Sequence, residues 1–153
     1  MGEYARILVI DDDKTIRLTM AAILRAEGYT VDTAETGREA IEKSNANNYN
    51  LALIDIRLPD IMGTALLDKF RQMDPPMIKI IVTGFPAIQN AIEAVNKGAN
   101  AYILKPVDPK KLVETIRSWL KKQKETSPAN QLKVADARAR ITVAWSFKDD
   151  QQT

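Results

Sequence analysis

Four short apolar runs in this chain end on residues that can do chemistry. Arg6-Ile7-Leu8-Val9-Ile10 leads to Asp11, Asp12 and Asp13, and Leu51-Ala52-Leu53-Ile54 leads to Asp55. The run from Met77 to Val82 ends at Thr83-Gly84, and the run from Asn100 to Leu104 ends at Lys105-Pro106. Three adjacent carboxylates repel one another, and helix capping explains only one of them. A divalent cation would relieve the remainder, and hard Mg²⁺ prefers oxygen ligands. An ionised carboxylate such as Asp55 is a nucleophile that needs no base. Its obstacle in attacking a phosphoryl group is like charge, which Mg²⁺ held by Asp12 and Asp55 would screen. The Lys105 ammonium and the Thr83 hydroxyl would then hold the remaining phosphoryl oxygens. Singly, Asp55 reads as a loop cap, Lys105 as a solvated lysine and Thr83 as a strand end. Together they suit phosphoryl transfer to an acid.

Only one kind of scaffold brings such distant residues to one place. Apolar runs of this length fit strands buried on both faces, as in a parallel sheet. Tyr29 to Thr33 reads as a further strand, the second in chain order. Between the strands lie helical spacings: Ile16, Met20, Ile23 and Leu24, with Gly28 just past the end; Thr36 and Glu39 as a capping box opening a helix through Ile41 and Lys43; and Leu66, Leu67 and Phe70, closed by Asp74-Pro75-Pro76. Ile88, Ala91, Ile92 and Val95 form a fourth helix, with Gly98 at its C-terminus. Asp108 caps the last one, with Pro109 at its first position and Leu112, Val113, Ile116, Trp119 and Leu120 along its face. Five strands alternating with five helices predict an α/β fold, a doubly wound parallel sheet with right-handed crossovers. Every strand's carboxyl end then points to one edge, where such sheets place their ligand crevice. A cis bond at Lys105-Pro106 would aim the lysine back into that pocket.

Composition narrows the classes. The 153 residues contain no Cys and no His, which removes disulfides, thiolates, the usual zinc ligands and the usual general base. Lys and Arg number 22 against 20 Asp and Glu, a net +2 too small and too dispersed to indicate nucleic acid or membrane. No run is long enough to span a bilayer and the N-terminus is no signal peptide, so a soluble, cytoplasmic protein is expected.

The motifs in order, Ile7 to Asp13, then Asp55 with Leu58-Pro59-Asp60 and Met62-Gly63, then Val82-Thr83-Gly84, then Tyr102 with Leu104-Lys105-Pro106, resemble the receiver domain of two-component response regulators over roughly residues 4–122. The resemblance implies a flavodoxin-like sheet in strand order 2-1-3-4-5. It implies that Asp55 accepts a phosphoryl group from a histidine of a partner kinase or phosphotransfer protein. It implies Mg²⁺ on Asp12 and Asp55, with Asp11 acting mainly through water and the Arg57 carbonyl as another ligand. It also implies a switch in which Thr83 moves toward the phosphoryl group and Tyr102 turns inward, read out by an effector or a second copy at the fourth helix, fifth strand and fifth helix. Ala91, Lys97, Tyr102 and Arg117 are candidate contacts there.

The receiver is expected over 1–124, with 125–153 a tail or linker. In that tail Ile141, Val143, Trp145 and Phe147 alternate onto one face, as in a strand. It is too short for a helix-turn-helix and carries no basic recognition helix, so no direct DNA contact is expected of this chain. Two other functions fit less well. A phosphorylation-independent docking or dimerisation module would have lost an acid or the lysine. A Mg²⁺-dependent aspartyl phosphohydrolase would place two acids two residues apart, as Asp11 and Asp13 do, but would add large cap insertions.

Overall fold

Alternate residues of a strand point to opposite faces, so runs apolar at every position need a cover on both sides. The computed structural model, which describes residues 5–72, 77–84 and 87–126, provides it. Strands β1 (Arg6–Ile10), β2 (Thr30–Ala34), β3 (Leu51–Ile54), β4 (Ile78–Thr83) and β5 (Ala101–Leu104) form one sheet in the order β2-β1-β3-β4-β5, every pairing parallel. This is the order the resemblance implies. The inner strands β3 and β4 are buried throughout, and β1 from Ile7 onward, whereas the edge strands are partly exposed.

Helices α1 (Lys14–Ala26), α2 (Gly37–Ala46), α3 (Gly63–Arg71), α4 (Ile88–Asn96) and α5 (Pro109–Glu125) alternate with the strands. On one face Leu8, Ile10, Ala52, Ile54 and Ile81 pack with Leu66, Leu67 and Phe70 of α3. On the other Ile7, Val9, Leu53, Ile80 and Val82 pack with Met20 and Leu24 of α1 and Leu112 and Ile116 of α5. Burial outweighs local capping here. Helix α3 has no side-chain cap bond, which costs about 1 kcal/mol, but each of its three buried large side chains contributes about 1.5–3 kcal/mol.

Among the described residues several expected helix ends are present. Asp13 caps α1 by accepting from the Ile16 N–H, and Thr36 caps α2 by accepting from the Glu39 N–H at 3.0 Å. The Glu39 carboxylate reaches back to the Glu35 N–H, one residue beyond the usual capping-box partner. Gly28 and Gly98 take φ of 96° and 95° after α1 and α4, a left-handed conformation that suits glycine.

Two helices turn differently from the apolar spacing. In α1 the buried residues are Arg17, Met20, Ala21 and Leu24, with Ile16 at the margin. In α4 Ala94 is buried, small enough to lie close on the sheet, while Ile92 and Val95 are 56% and 65% exposed. Asp74-Pro75-Pro76 and the alternating run 141–147 lie outside the described residues. Chain contacts separate Met1–Leu120 from Lys121–Thr153, and within the second unit Thr126 bonds back to the Lys122 carbonyl. Among the described residues no helix is long and apolar enough to cross a membrane.

Candidate functional site

The parallel register sets the acids side by side. Ile10 pairs with Ile54, so the next residues, Asp11 and Asp55, leave the sheet together. The ladder continues one step past the strands, with the Asp55 N–H on the Ile10 carbonyl at 3.0 Å and the Asp11 N–H on Ala34 at 3.1 Å. Thr83 pairs with Leu104, and the Lys105 N–H donates to the Thr83 carbonyl at 2.8 Å. Asp11, Asp55, Thr83 and Lys105 therefore meet on one rim, while Tyr102 lies two residues before the end of β5, opposite Ile81.

The Lys105 ammonium lies 2.7 Å from Asp11 Oδ2 and 3.3 Å from Asp55 Oδ2. The Lys105–Pro106 peptide is cis. Carboxylate oxygens of Asp11, Asp12 and Asp55 lie within 4.8 Å of one another, with Asp11 and Asp55 buried and Asp12 exposed. Asp11 Oδ1 accepts from the Asp13 N–H at 2.9 Å, and Asp55 Oδ1 from the Arg57 N–H at 3.4 Å. Thr83 is fully buried, and Tyr102 is half-buried against the core on β5, where desolvation raises its phenol pKa.

Two buried anions share one cation here. Burial raises the Asp55 pKa, and the neighbouring Asp11 charge raises it further, more than the Lys105 ammonium and the Arg57 N–H can offset. Burial alone would lower the Lys105 pKa, but Asp11 and Asp55 together hold it above its ordinary value. The ammonium sits closer to Asp11, so Asp55 is the less compensated acid. An all-oxygen donor set with surplus negative charge, open on the Asp12 side, fits a hard divalent cation.

The raised Asp55 pKa has a stability consequence with a definite sign. Between the ordinary carboxylate range and the raised value the folded state binds more protons than the unfolded chain, so stability falls as pH rises through that window. Asp55→Asn removes this cost. Thermal melts in EDTA should therefore show the variant more stable than the parent at neutral pH, with the gap closing below the ordinary carboxylate range. An unchanged or lower melting temperature at pH 7 would contradict the assignment of Asp55 as an under-compensated acid.

Three residues that the sequence did not single out as functional support the rim. Arg17, buried under α1, donates to the Asp11 carbonyl at 2.9 Å and to Glu35 Oε1 at 3.2 Å. Gly63 donates to the Ile56 carbonyl at 2.6 Å and lies directly behind Asp55. Asp60 accepts from the Gly37 and Arg38 N–H groups at 2.9 and 2.8 Å. Of the candidate output contacts, Lys97 pairs with Asp68 at 3.0 Å and Glu93 at 3.2 Å, and Arg117 with Glu27 at 3.2 Å. The exposed apolar side chains near them are instead Ile92, Val95 and Leu104.

A family model described as the response regulator receiver domain matches residues 7–117. The transcriptional regulatory protein ZraR of Salmonella typhimurium is 34% identical over 120 residues, covering 78% of this chain and 27% of that protein. ResD of Bacillus subtilis is 33% identical over 126 residues, 82% of this chain and 52% of that protein. The chain thus spans about a quarter to a half of the length of these relatives. Among solved structures, a CheY-like receiver domain protein from Methanospirillum hungatei aligns with a TM-score of 0.80 at 43% identity, over 82% of this chain and all of that one. The beryllofluoride-activated NtrC4 receiver domain dimer aligns with a TM-score of 0.73 at 32% identity, over 77% and 98%.

Proposed function

The chain belongs to the response regulator receiver domain family of two-component signalling, and on that footing we propose that Asp55 is its phosphoacceptor. The donor would be a histidine of a sensor kinase or phosphotransfer protein. Lys105 carries this reading: its ammonium joins Asp11 and Asp55, whose strands lie apart in sequence, at 2.7 and 3.3 Å. Nothing in a purely structural fold requires a buried pair of acids and a lysine at one sheet edge.

In the proposed reaction an Asp55 carboxylate oxygen bonds to phosphorus as the donor's N–P bond breaks, its electron pair leaving on the imidazole. Lys105 turns from its two carboxylates toward a phosphoryl oxygen, and the Thr83 hydroxyl donates to another. Mg²⁺ would be held by Asp12 and Asp55, by Asp11 through water and by the Arg57 carbonyl. When bound it would screen the charge between acid and phosphoryl group. The chemistry stays on the protein's own aspartate, its gain and later loss of phosphate, with no external turnover.

The product carries about −2 charge and three strong acceptors. Charge-assisted hydrogen bonds of about 1.5–3 kcal/mol each could shift a population lying a few kcal/mol away. Thr83 moving to the phosphoryl group, with Tyr102 turning in behind it, would pass that shift to α4, β5 and α5. There Ile92, Val95 and Leu104 offer an apolar face to an effector or a second copy. We assign the protein to the cytoplasm, and we assign its described residues no nucleic-acid contact. The relatives named as transcriptional regulators are longer proteins. A docking module indifferent to phosphate would have no use for Asp11, Asp12, Asp55, Thr83 and Lys105 gathered on one rim.

Incubation with acetyl phosphate and Mg²⁺, followed by intact-mass analysis, tests this. The parent chain should gain one phosphoryl group, Asp55→Asn none, and EDTA should abolish the gain. Undiminished labelling of Asp55→Asn would overturn the proposal.

A further inference from the structure

Residues 55–62 carry both Asp55 and Arg57 and form a loop anchored by Ile56 and Leu58 in the core, with Ile61 packed against it. The Asp55 N–H bonds to Ile10, the Gly63 N–H bonds to Ile56, and Arg57 bridges to Met62. At the tip Asp60 adds polar ties across to α2. Its Oδ1 accepts from the Gly37 N–H at 2.9 Å and from the Ile61 N–H at 3.0 Å, and its Oδ2 accepts from the Arg38 N–H at 2.8 Å. Gly37 and Arg38 are the first residues of α2, whose N–H groups lack partners within the helix and lie at its positive end. The contact is close because residue 37 is glycine. A Cβ there would lie 2.5 Å from Ile61 Cγ1 and 3.4 Å from Asp60 Oδ1.

The same turn also reaches the other acid-bearing strand end. Glu35, just before the α2 cap, accepts from Arg17, and Arg17 holds the Asp11 carbonyl. Residues 35–38 therefore connect the Asp11 side of the rim to the Asp55 side through the charged side chains of Arg17, Glu35 and Asp60.

We propose that Asp60 is a positioning residue for the divalent cation, fixing the Arg57 segment against α2 so that the oxygen donors stay assembled. This rests on the Mg²⁺ site proposed above. A carboxylate that orients ligands without touching the metal typically changes metal affinity 10–100-fold. Ligand-linked stabilisation reports the same affinity independently, because it grows with the ratio of Mg²⁺ concentration to the dissociation constant.

The test is isothermal titration of MgCl₂ into the parent, Asp60→Ala and Asp60→Asn, with melts of each in EDTA and in Mg²⁺. Asp60→Ala should weaken Mg²⁺ about ten-fold. Asp60→Asn, which keeps one acceptor, should weaken it less. The melting gap between parent and Asp60→Ala should widen when Mg²⁺ is added, a result that loss of a helix contact alone does not produce. A dissociation constant within two-fold of the parent, or an equal gap in both buffers, would refute the role of Asp60. If Asp60→Ala fails to fold, Asp60→Asn decides by the same criteria. A parent that binds Mg²⁺ while both variants match it sinks this inference alone. A parent that binds none sinks the Mg²⁺ site, and this inference with it.

Discussion

Gly63→Ala is expected to cost the domain about 3 kcal/mol or more and to silence phosphoryl transfer. A Cβ at residue 63 would lie 2.2 Å from the Asp55 carbonyl oxygen, 2.9 Å from Ile56 Cα and 3.0 Å from the Asp55 carbonyl carbon. All three are backbone atoms of the segment leaving β3, so no rotamer change relieves the clash. Either the first turn of α3 withdraws, lifting Leu66, Leu67 and Phe70 from the core, or Asp55 is pushed along the rim. Overpacking commonly costs about 1–3 kcal/mol, and immovable backbone places this case at or above that range. The melting temperature should fall by roughly 10 °C. Labelling by acetyl phosphate should be lost even where the variant is fully folded. A variant as stable and as readily labelled as its parent would show that α3 does not brace the acceptor.

Lys105→Met should move two measurements in opposite directions. Methionine keeps most of the length of the side chain and removes the charge, so no phosphoryl oxygen finds an ammonium, and the labelling rate should drop about 10²–10³-fold. The same ammonium now lies 2.7 and 3.3 Å from the carboxylates proposed to gather around Mg²⁺. Its removal takes away a competing cation, so Mg²⁺ should bind more tightly. Without metal the variant should be less stable at neutral pH, because Asp11 and Asp55 lose their shared counter-ion. Unfolding cannot mimic tighter Mg²⁺ binding with slower labelling. Weaker Mg²⁺ binding, or an unchanged rate, would contradict the role given to Lys105.

Much of this was legible in the chain because it is local. Doubly buried runs announce a parallel sheet, and in such a sheet the residue after each run has its place set by register. Asp11, Asp55, Thr83 and Lys105 could thus be brought together without knowing any tertiary contact. Thr36, Gly28 and Gly98 were equally readable, and so was a cap from one of the three adjacent acids, which the structure identifies as Asp13, since caps are decided within a few residues. What escaped depends on contacts across the fold. Arg17 lies on the buried stripe of α1 but reads as a solvated charge, because only the Asp11 carbonyl and Glu35 explain its burial. Asp60 lies 22 and 23 residues from its α2 donors, and nothing beside it in sequence foretells them. Gly63 stood as one residue of a motif, although its missing side chain matters through the backbone behind it. Helix α4 was found by its apolar spacing, but that spacing did not give its buried side. Ala94 sits against the sheet and larger residues face outward, the reverse of what hydrophobicity alone favours.

The central claim is that one acid, Asp55, receives the phosphoryl group. Borohydride reduction of the labelled protein, which converts an aspartyl phosphate to homoserine, followed by peptide sequencing by mass spectrometry, reads that position directly. Homoserine at residue 55 and aspartate at residues 11, 12 and 60 is the expected result. Homoserine at any of those other positions, or at none after labelling, would contradict it.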